Sequence, residues 1–422
     1  MAEASTRSEA DGFAWTRWSQ LALGIVCMVA IANLQYGWTL FINPIGQTYG
    51  WSITAIQWTF TIAIATETVV PALGGGRLVD RFGPRLVWVS GPLVAIAWWI
   101  NSIADALILF YFAAVISGLG AGLIFAATYG NALKWFPDRR GLATGLTAAG
   151  FAGGGAVTVV PLASMIQSSG YQAAYLWFGL GQGIVILVTA LLLRAPRPAE
   201  VVAAAPAQVP QGRYDHAPRE VRRSPPFWLM YVMFVMVGAG GLITIAQLAP
   251  VAASFAIDKA PVSLLGLTML ALTFALSFGQ VMNGLSRPVF GAMSDRFGRE
   301  RTMFVAFLVE GFAIALVPFA NSPMLFVLCV GLVFFAWGEI FALFPAICAD
   351  TYGSKYASAN YGLLYTAKGV AALLVPLANV LNDATGSWTA VFAVASGFNV
   401  LAAILALTAL RPARIRVMAR DR

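Results

Sequence analysis

The 422-residue chain is 59% hydrophobic and 10% charged, with a mean hydropathy of +0.77; a soluble domain carries about 25% charged residues, so the composition excludes one and reads as a polytopic membrane protein. The formal net charge of +8 does not argue for nucleic acid, because the basic residues recur at the ends of apolar runs, as orientation signals do. Cys27, Cys329 and Cys348 all fall in apolar runs and the single histidine, His216, sits in a polar loop, so neither a disulfide framework nor a metal site is expected.

The first twenty residues, MAEASTRSEADGFAWTRWSQ, are polar and mixed in charge. Acids stand where a secretory signal would have a basic n-region, and 1–18 reads as a tail. A membrane span needs about 20 mostly apolar residues. Six such runs follow, at 19–43, 54–78, 86–104, 107–131, 141–166 and 172–194, and make up an amino-terminal half, 19–194. The Pro- and Ala-rich stretch 195–226, with RPRPAE and HAPREVRRSPP, reads as a poorly ordered linker. Six more runs, at 227–254, 263–292, 302–320, 323–348, 359–382 and 388–410, make up a carboxy-terminal half, 227–410, and 411–422 is a second tail. The expected fold class is an all-α membrane protein of twelve transmembrane helices in two pseudo-symmetric halves.

Of the 26 Lys and Arg, Arg287 and Lys368 are intramembrane and Lys259 lies in the loop after the seventh span; the other 23 fall in the tails or the even-to-odd loops. That asymmetry places both termini and the linker in the cytoplasm, with the chain in a plasma (inner) membrane.

The halves repeat. GGGRLVDRFGPR (74–85) follows the second span and FGAMSDRFGRER (290–301) the eighth, with Asp80 and Asp295 215 residues apart. LTAAG (146–150) in the fifth span echoes YTAKG (365–369) in the eleventh. Duplicated six-helix units point to a carrier with its substrate site between the halves. In the two DRFG loops, Gly83 and Gly298 allow a tight turn. Asp80, Arg81 and Arg85 in one, and Asp295, Arg296 and Arg299 in the other, can pair across neighbouring helix ends and latch the halves on the cytoplasmic side. The bland reading of those charges is a topology signal alone.

Arg287 and Lys368 are lone cations in apolar spans. A charge at the bilayer centre costs at least about 2.5 to 3.5 kcal/mol on insertion scales, and chains tolerate it chiefly where it serves ion traffic. Under the two offsets they correspond to Ala72 and Ala149, so only the carboxy-terminal half is charged there. Arg287 lies eight residues before Asp295, about 12 Å along a helix, and Lys368 is at similar depth. An Arg fork suits a carboxylate and a Lys is a compact, adaptable charge; together they suit a small anion with two ends. Two unit charges about 10 Å apart repel by about 1.7 kcal/mol at an effective dielectric near 20, which favours exchange over return of an empty carrier.

Three acids also lie in spans: Glu67, Glu310 and Glu339. Glu339 shares its half with both cations and is a candidate for proton coupling; the alternative is a packing carboxyl between helices. Tyr36 beside Gln35, Phe125, Trp337 with Phe341, and Tyr365 three residues before Lys368 stand at pocket positions, although aromatics in spans more often pack or anchor.

Several segments together resemble the oxalate:formate antiporter family of the major facilitator superfamily: NLQYGWTLFINPI (33–45), LVDRFGPR (78–85), KWFPDRRGLATGLTAAGF (134–151), SRPVFGAMSDRFGR (286–299) and ANYGLLYTAKG (359–369). The resemblance implies the major facilitator fold, alternating access, oxalate uptake in exchange for formate, and neither enzyme activity nor a cofactor. It implies Arg287 and Lys368 as the substrate-binding cations, with Gln35, Tyr36, Trp337 and Tyr365 shaping the pocket. Expected partners are small carboxylate anions and the lipid bilayer, without nucleic acid, and the carrier is expected to be a monomer. Phe125, Phe151 and Phe341 replace tyrosines of the family pattern, Tyr365 a tryptophan, and Glu339 a small residue. These departures bear on the substrate more than on the fold. A proton-coupled symporter of lactate-like monocarboxylates is the competing expectation.

Overall fold

A computed structural model describes residues 2–198, 200, 209–257, 260–264 and 266–420. Lys259 and the middle of the linker, 201–208, lie outside the described residues.

In chain order the amino-terminal elements are α1 (Ala2–Tyr36), α2 (Thr39–Tyr49), α3 (Ile53–Val70), a π-helical turn (Pro71–Gly75), α4 (Gly76–Phe82), α5 (Ser90–Ile103), α6 (Leu107–Trp135) and α7 (Arg140–Leu192). A short α8 (Pro218–Val221) leads into the second half. There follow α9 (Pro225–Ser254), β1 (Pro261–Leu264), β2 (Leu267–Leu270), α10 (Ala271–Phe297), α11 (Arg299–Leu316), α12 (Pro323–Trp337), α13 (Ile340–Tyr352), α14 (Ala357–Leu373), α15 (Val375–Thr385), α16 (Trp388–Leu405) and α17 (Arg411–Arg420).

Local chemistry sets the ends. Ser52 caps α3 by accepting from the Ala55 amide at 3.2 Å, and Ser322 caps α12 ahead of Pro323 at its first position. Inside α7, Gly170 takes φ 84°, ψ 161°. Only glycine does so without a Cβ penalty, and the helix turns there into two arms, between the expected fifth and sixth spans.

Nine helical stretches among the described residues are long and apolar enough to cross a membrane, by length and composition. The first part of α7 (140–160), α10 and α14 with α15 fall outside that group. They are helical all the same, and diluted by Gly, Ser, Thr, Asn and the two cations. Their polar residues Thr144, Asn283, Ser286, Ser294 and Ser358 are buried, so these segments face protein.

Two expectations need correction. The eighth span does not begin at 263: Pro261–Leu270 is an antiparallel hairpin pairing Val262 with Met269, turned at Gly266 (φ 79°), and the helix starts at Ala271. The β-branched Val262 and Thr268 beside Pro261 favour that local strand pair over a helix. The described end of the linker, 209–221, is packed, not loose. Gln211 Nε2 donates to the Pro137 carbonyl at 2.7 Å, and the amides of Gly212 and His216 donate to the carbonyls of Asp350 and Tyr352 at 2.7 and 3.0 Å. The segment straps the two halves together on the face that carries both DRFG loops, the basic face.

The main apolar core runs through both halves, from Cys27 to Leu410. A second cluster, around Phe274, Phe326 and Phe392, fills the carboxy-terminal half alone.

Candidate substrate site and gate

The expected site residues sit where helices are interrupted. Gln35 and Tyr36 end α1 before the break at Gly37–Trp38; Trp337 ends α12 and Phe341 opens α13, across the break at Gly338–Glu339. Broken helices at mid-membrane depth are how carriers expose polar groups to a substrate.

Lys368, in the middle of α14, is 3% exposed. Its ammonium donates to Tyr365 Oη at 3.0 Å, Gln35 Oε1 at 3.2 Å and Glu67 Oε1 at 3.3 Å. The Tyr365 hydroxyl itself donates to Glu67 Oε1 at 2.9 Å. A lysine ammonium has three donors, and all three are used. Glu67, 3% exposed on α3, is thus the ion-pair partner of Lys368 across the two halves. A buried cation is stable only when paired and hydrogen-bonded in this way.

Arg287, in α10, is 1% exposed. Nε donates to Asn283 Oδ1 one turn back at 3.1 Å, and Nη1 crosses the halves to the Ala148 carbonyl at 2.5 Å. Nη2 is buried without a hydrogen bond of good geometry, although the Tyr36 hydroxyl lies beside the guanidinium, and no carboxylate pairs with it among the described residues. The Phe341 ring lies between the cations, its centroid 4.7 Å from Arg287 Cζ and 5.8 Å from Lys368 Nζ. The two charges are therefore no more than about 10.5 Å apart, the sum of those distances. The aromatic face is favourable to both.

The remaining pocket residues connect through rings. Trp337 meets Phe341 at 5.5 Å, Tyr36 meets Phe151 at 5.1 Å, Phe151 meets Phe125 at 4.9 Å, and Phe125 stacks on Tyr365 at 5.3 Å. Both cations are almost wholly buried, so the site is closed in this conformation.

Glu339 is elsewhere. It lies at the α12–α13 break, fully buried, with neither carboxylate oxygen bonded, and it pairs with neither cation among the described residues. Sequence reasoning named Glu67 but favoured Glu339, because Glu339 shares a half with the cations. The pairing that forms is between residues 301 positions apart.

The basic face is held by charges of a kind the repeat announced and by others it did not. Asp80 Oδ1 accepts from Lys134 Nζ at 2.8 Å, and Oδ2 from the amide of Ala359 in the first turn of α14 at 3.0 Å. Asp295 mirrors it: Oδ1 and Oδ2 accept from the amides of Gly141 and Leu142, in the first turn of α7, at 3.0 and 2.8 Å. Each carboxylate thus sits at the positive end of a helix belonging to the other half. Arg299 pairs with Asp295 at 2.6 Å and with Asp350 at 2.7 Å, and Asp350 also takes Arg140 from the first half at 3.0 Å. Arg85 Nε donates to the Leu193 carbonyl within its own half at 2.9 Å. Arg81 and Arg296 lie over the rings of their neighbours Phe82 and Phe297. The Arg140–Asp350 pair across the halves was missed, although Arg140 stands in the KWFPDRRGLATG segment. Gly141 and Gly291 let the helices touch: a Cβ on Gly291 would stand 2.2 Å from the Gly141 carbonyl oxygen.

The sequence profile of the Major Facilitator Superfamily matches residues 23–285 and 248–419. An oxalate:formate antiporter of Oxalobacter formigenes is 34% identical over 369 residues, 86% of this chain and 84% of that one. Monocarboxylate transporter 13 of Bos taurus is 27% identical over 362 residues, covering 81% and 77%. The solved structure of a proton:xylose symporter of the superfamily, bound to 6-bromo-6-deoxy-D-glucose, superposes with a TM-score of 0.67 at 13% identity, covering 94% of this chain and 96% of that one.

Proposed function

The chain belongs to the major facilitator superfamily, and from that premise we propose that it exchanges small carboxylates by alternating access, oxalate entering as formate leaves. The observation that carries the reading is the pair of buried cations, Arg287 and Lys368, from two helices on one Phe341 ring, with no carboxylate on Arg287 among the described residues. An Arg fork fixes one carboxylate with geometric specificity. The second carboxylate of a dianion then reaches toward Lys368. Gln35, Tyr36, Trp337 and Tyr365 shape the pocket, and the identity to an oxalate:formate antiporter points to the same substrates.

Alternating access needs a gate. Asp80 and Asp295 hold the basic face shut through the first turns of α14 and α7, with Arg85, Arg299 and the Arg140–Asp350 pair tying the helix ends. Arg81 and Arg296 keep the loops at the membrane surface. That face is cytoplasmic by the distribution of Lys and Arg, with both termini on it, and the unit of transport is one six-plus-six chain, 19–194 and 227–410.

Uptake of labelled oxalate into proteoliposomes loaded with formate tests the exchange. Uptake that persists without an internal counter-substrate and follows a pH gradient would favour the second reading, a proton-coupled monocarboxylate symporter, which the similarity to monocarboxylate transporter 13 supports.

A further inference from the structure

We propose that Glu67 is a built-in counter-anion, which holds Lys368 in the empty carrier and binds one proton when the second carboxylate of a dianion displaces it. A dianion and a monoanion then exchange without net movement of charge. This rests on the carboxylate-exchange reading and adds to it a residue and a stoichiometry.

Lys368 spends its three N–H groups on Tyr365, Gln35 and Glu67, so a ligand reaching it must displace one of them. Arg287 has only neutral neighbours among the described residues, Asn283, the Ala148 carbonyl and the Tyr36 hydroxyl. The closed site therefore offers one cation without a counter-charge and one that is already paired. Its two cations and one carboxylate leave a single positive charge, the complement of a monoanion. A monocarboxylate can dock on Arg287 and leave the Glu67–Lys368 pair intact. A dicarboxylate spanning both cations replaces the Glu67 carboxylate on Lys368 like for like. The freed Glu67 would then be a second carboxylate beside the ligand's, and two carboxylates sharing a buried site do not both stay ionised.

The surroundings leave the proton no better acceptor. Around Glu67 stand Lys368, Tyr365 and Tyr361 from α14, Tyr36 from α1 and Tyr129 from α6, with Arg287 of α10 across the Phe341 ring. α6 packs on Glu67 through the backbone at Gly118 and Gly122 and adds no charge there. No other carboxylate is paired with Lys368 among the described residues.

The charges balance as follows. Inward, the dianion brings two negative charges and the proton, drawn from the water that opens onto the site, cancels one. Outward, the monoanion carries one negative charge while Glu67 has released the proton and returned to Lys368. The net movement is zero. With Glu67→Gln, no proton travels and one negative charge crosses per cycle. The pair also explains how an empty site tolerates two nearby cations: one of them is already neutralised.

The test uses proteoliposomes loaded with formate and the pH dye pyranine, given labelled oxalate outside, with potassium and valinomycin setting the membrane potential. An inside-positive potential of about 100 mV biases one elementary charge by up to about 50-fold. The wild type is expected to take up oxalate at a rate that this potential leaves nearly unchanged, with the lumen acidifying in step. Glu67→Gln is expected to be accelerated several-fold by the potential and to stop acidifying the lumen. Wild-type uptake that is driven by the potential and moves no proton would overturn the proposal, and that arm does not depend on the variant folding. Acidification that persists in Glu67→Gln would overturn it as well. Failure of the wild type to exchange any carboxylate would instead sink the carrier reading beneath it.

Discussion

The two halves meet through carboxylates that mirror each other and through cations that do not. Asp80 in the first half accepts the amide of Ala359 at the start of α14; Asp295 in the second accepts those of Gly141 and Leu142 at the start of α7. The cations obey no such symmetry: Arg287 and Lys368 both come from the second half, and their counterparts by offset are Ala72 and Ala149. The first half answers with Glu67 and Gln35 on Lys368, and with the Ala148 carbonyl on Arg287. What is duplicated belongs to the moving scaffold, which must treat both halves alike. On the proposed function, what is unique serves the substrate, which has no reason to share the symmetry of the two halves.

The largest effect should come from breaking the unique part. Arg287→Gln or Lys368→Gln is expected to cut oxalate–formate exchange at least about 100-fold, since each removes a buried, charge-assisted contact worth about 3 kcal/mol or more. Arg287→Lys should fail nearly as badly, because the fork that serves Asn283, Ala148 and the ligand together is lost. Uptake into proteoliposomes, with monodisperse elution confirming a folded carrier, is the measurement. Exchange at the wild-type rate in either Gln variant would break the assignment.

Breaking the mirrored part should move populations and leave substrate identity alone. Asp80→Asn and Asp295→Asn each weaken a carboxylate at a helix N-terminus, a contact worth about 0.3–1 kcal/mol, up to about 2 when partly buried. Both should shift the carrier toward opening on the basic face, to a similar degree, read as faster thiol labelling of cysteines placed between the halves on that side. Asp350→Asn should be harsher, because Arg140 loses its ion-pair partner and Arg299 one of two. Breaking a buried pair costs about 3–5 kcal/mol, so a lower Tm in detergent is expected there. Unequal behaviour of Asp80→Asn and Asp295→Asn would show that the mirror is geometric and not functional.

A smaller effect should come from the strap. Gln211 touches the first half at Pro137, while the amides of Gly212 and His216 touch the second at Asp350 and Tyr352. Asp215 Oδ1 accepts from the Lys355 amide at 3.0 Å. Gln211→Ala with Asp215→Ala removes two neutral or exposed bonds, each worth about 1 kcal/mol. The expected outcome is a two- to five-fold rise in thiol labelling on the basic face, with the ratio of oxalate to formate transport unchanged.

Much of this was legible in the sequence because it is local or repeated. Span length and the ends of apolar runs gave the helices, the echo of DRFG marked Asp80 and Asp295, which reach across to the other half, and isolation in apolar text marked Arg287 and Lys368. The hairpin at 261–270 was not legible, because its Val, Leu and Met fit an apolar span as well as a strand. Nor was the partner of Lys368. An acid about four turns into a helix announces cost and not contact, and nothing in linear text says that Glu67 and Lys368 face each other across 301 residues. The strap was misread for a related reason: Pro and Ala content measures backbone freedom in isolation, while the bonds that order 211–216 are made by the carbonyls of distant helix ends.

Glu339 sharpens the comparison most finely, because it carries the same carboxyl as Glu67 in the half that owns the cations. Its position argues for packing. It sits between α12 and α13 with no exposure, both oxygens unbonded, and the donors of Lys368 all committed elsewhere. Arg287 turns its Nε and Nη1 to Asn283 and Ala148. A residue that touches neither cation cannot set the charge of the site at close range, and it cannot trade places with a substrate carboxylate. Glu339→Gln keeps the size and shape of the side chain. It is therefore expected to leave the pH dependence of oxalate uptake and the preference between mono- and dicarboxylates within about two-fold of the wild type, with lower expression as its main cost. Glu67→Gln should change both. Rates measured from pH 5 to 8 with formate, lactate and oxalate in the two variants decide between the acids. If the pH dependence disappears in Glu339→Gln and survives in Glu67→Gln, coupling lies within the second half, and the division between a shared scaffold and a site completed from both sides must be redrawn.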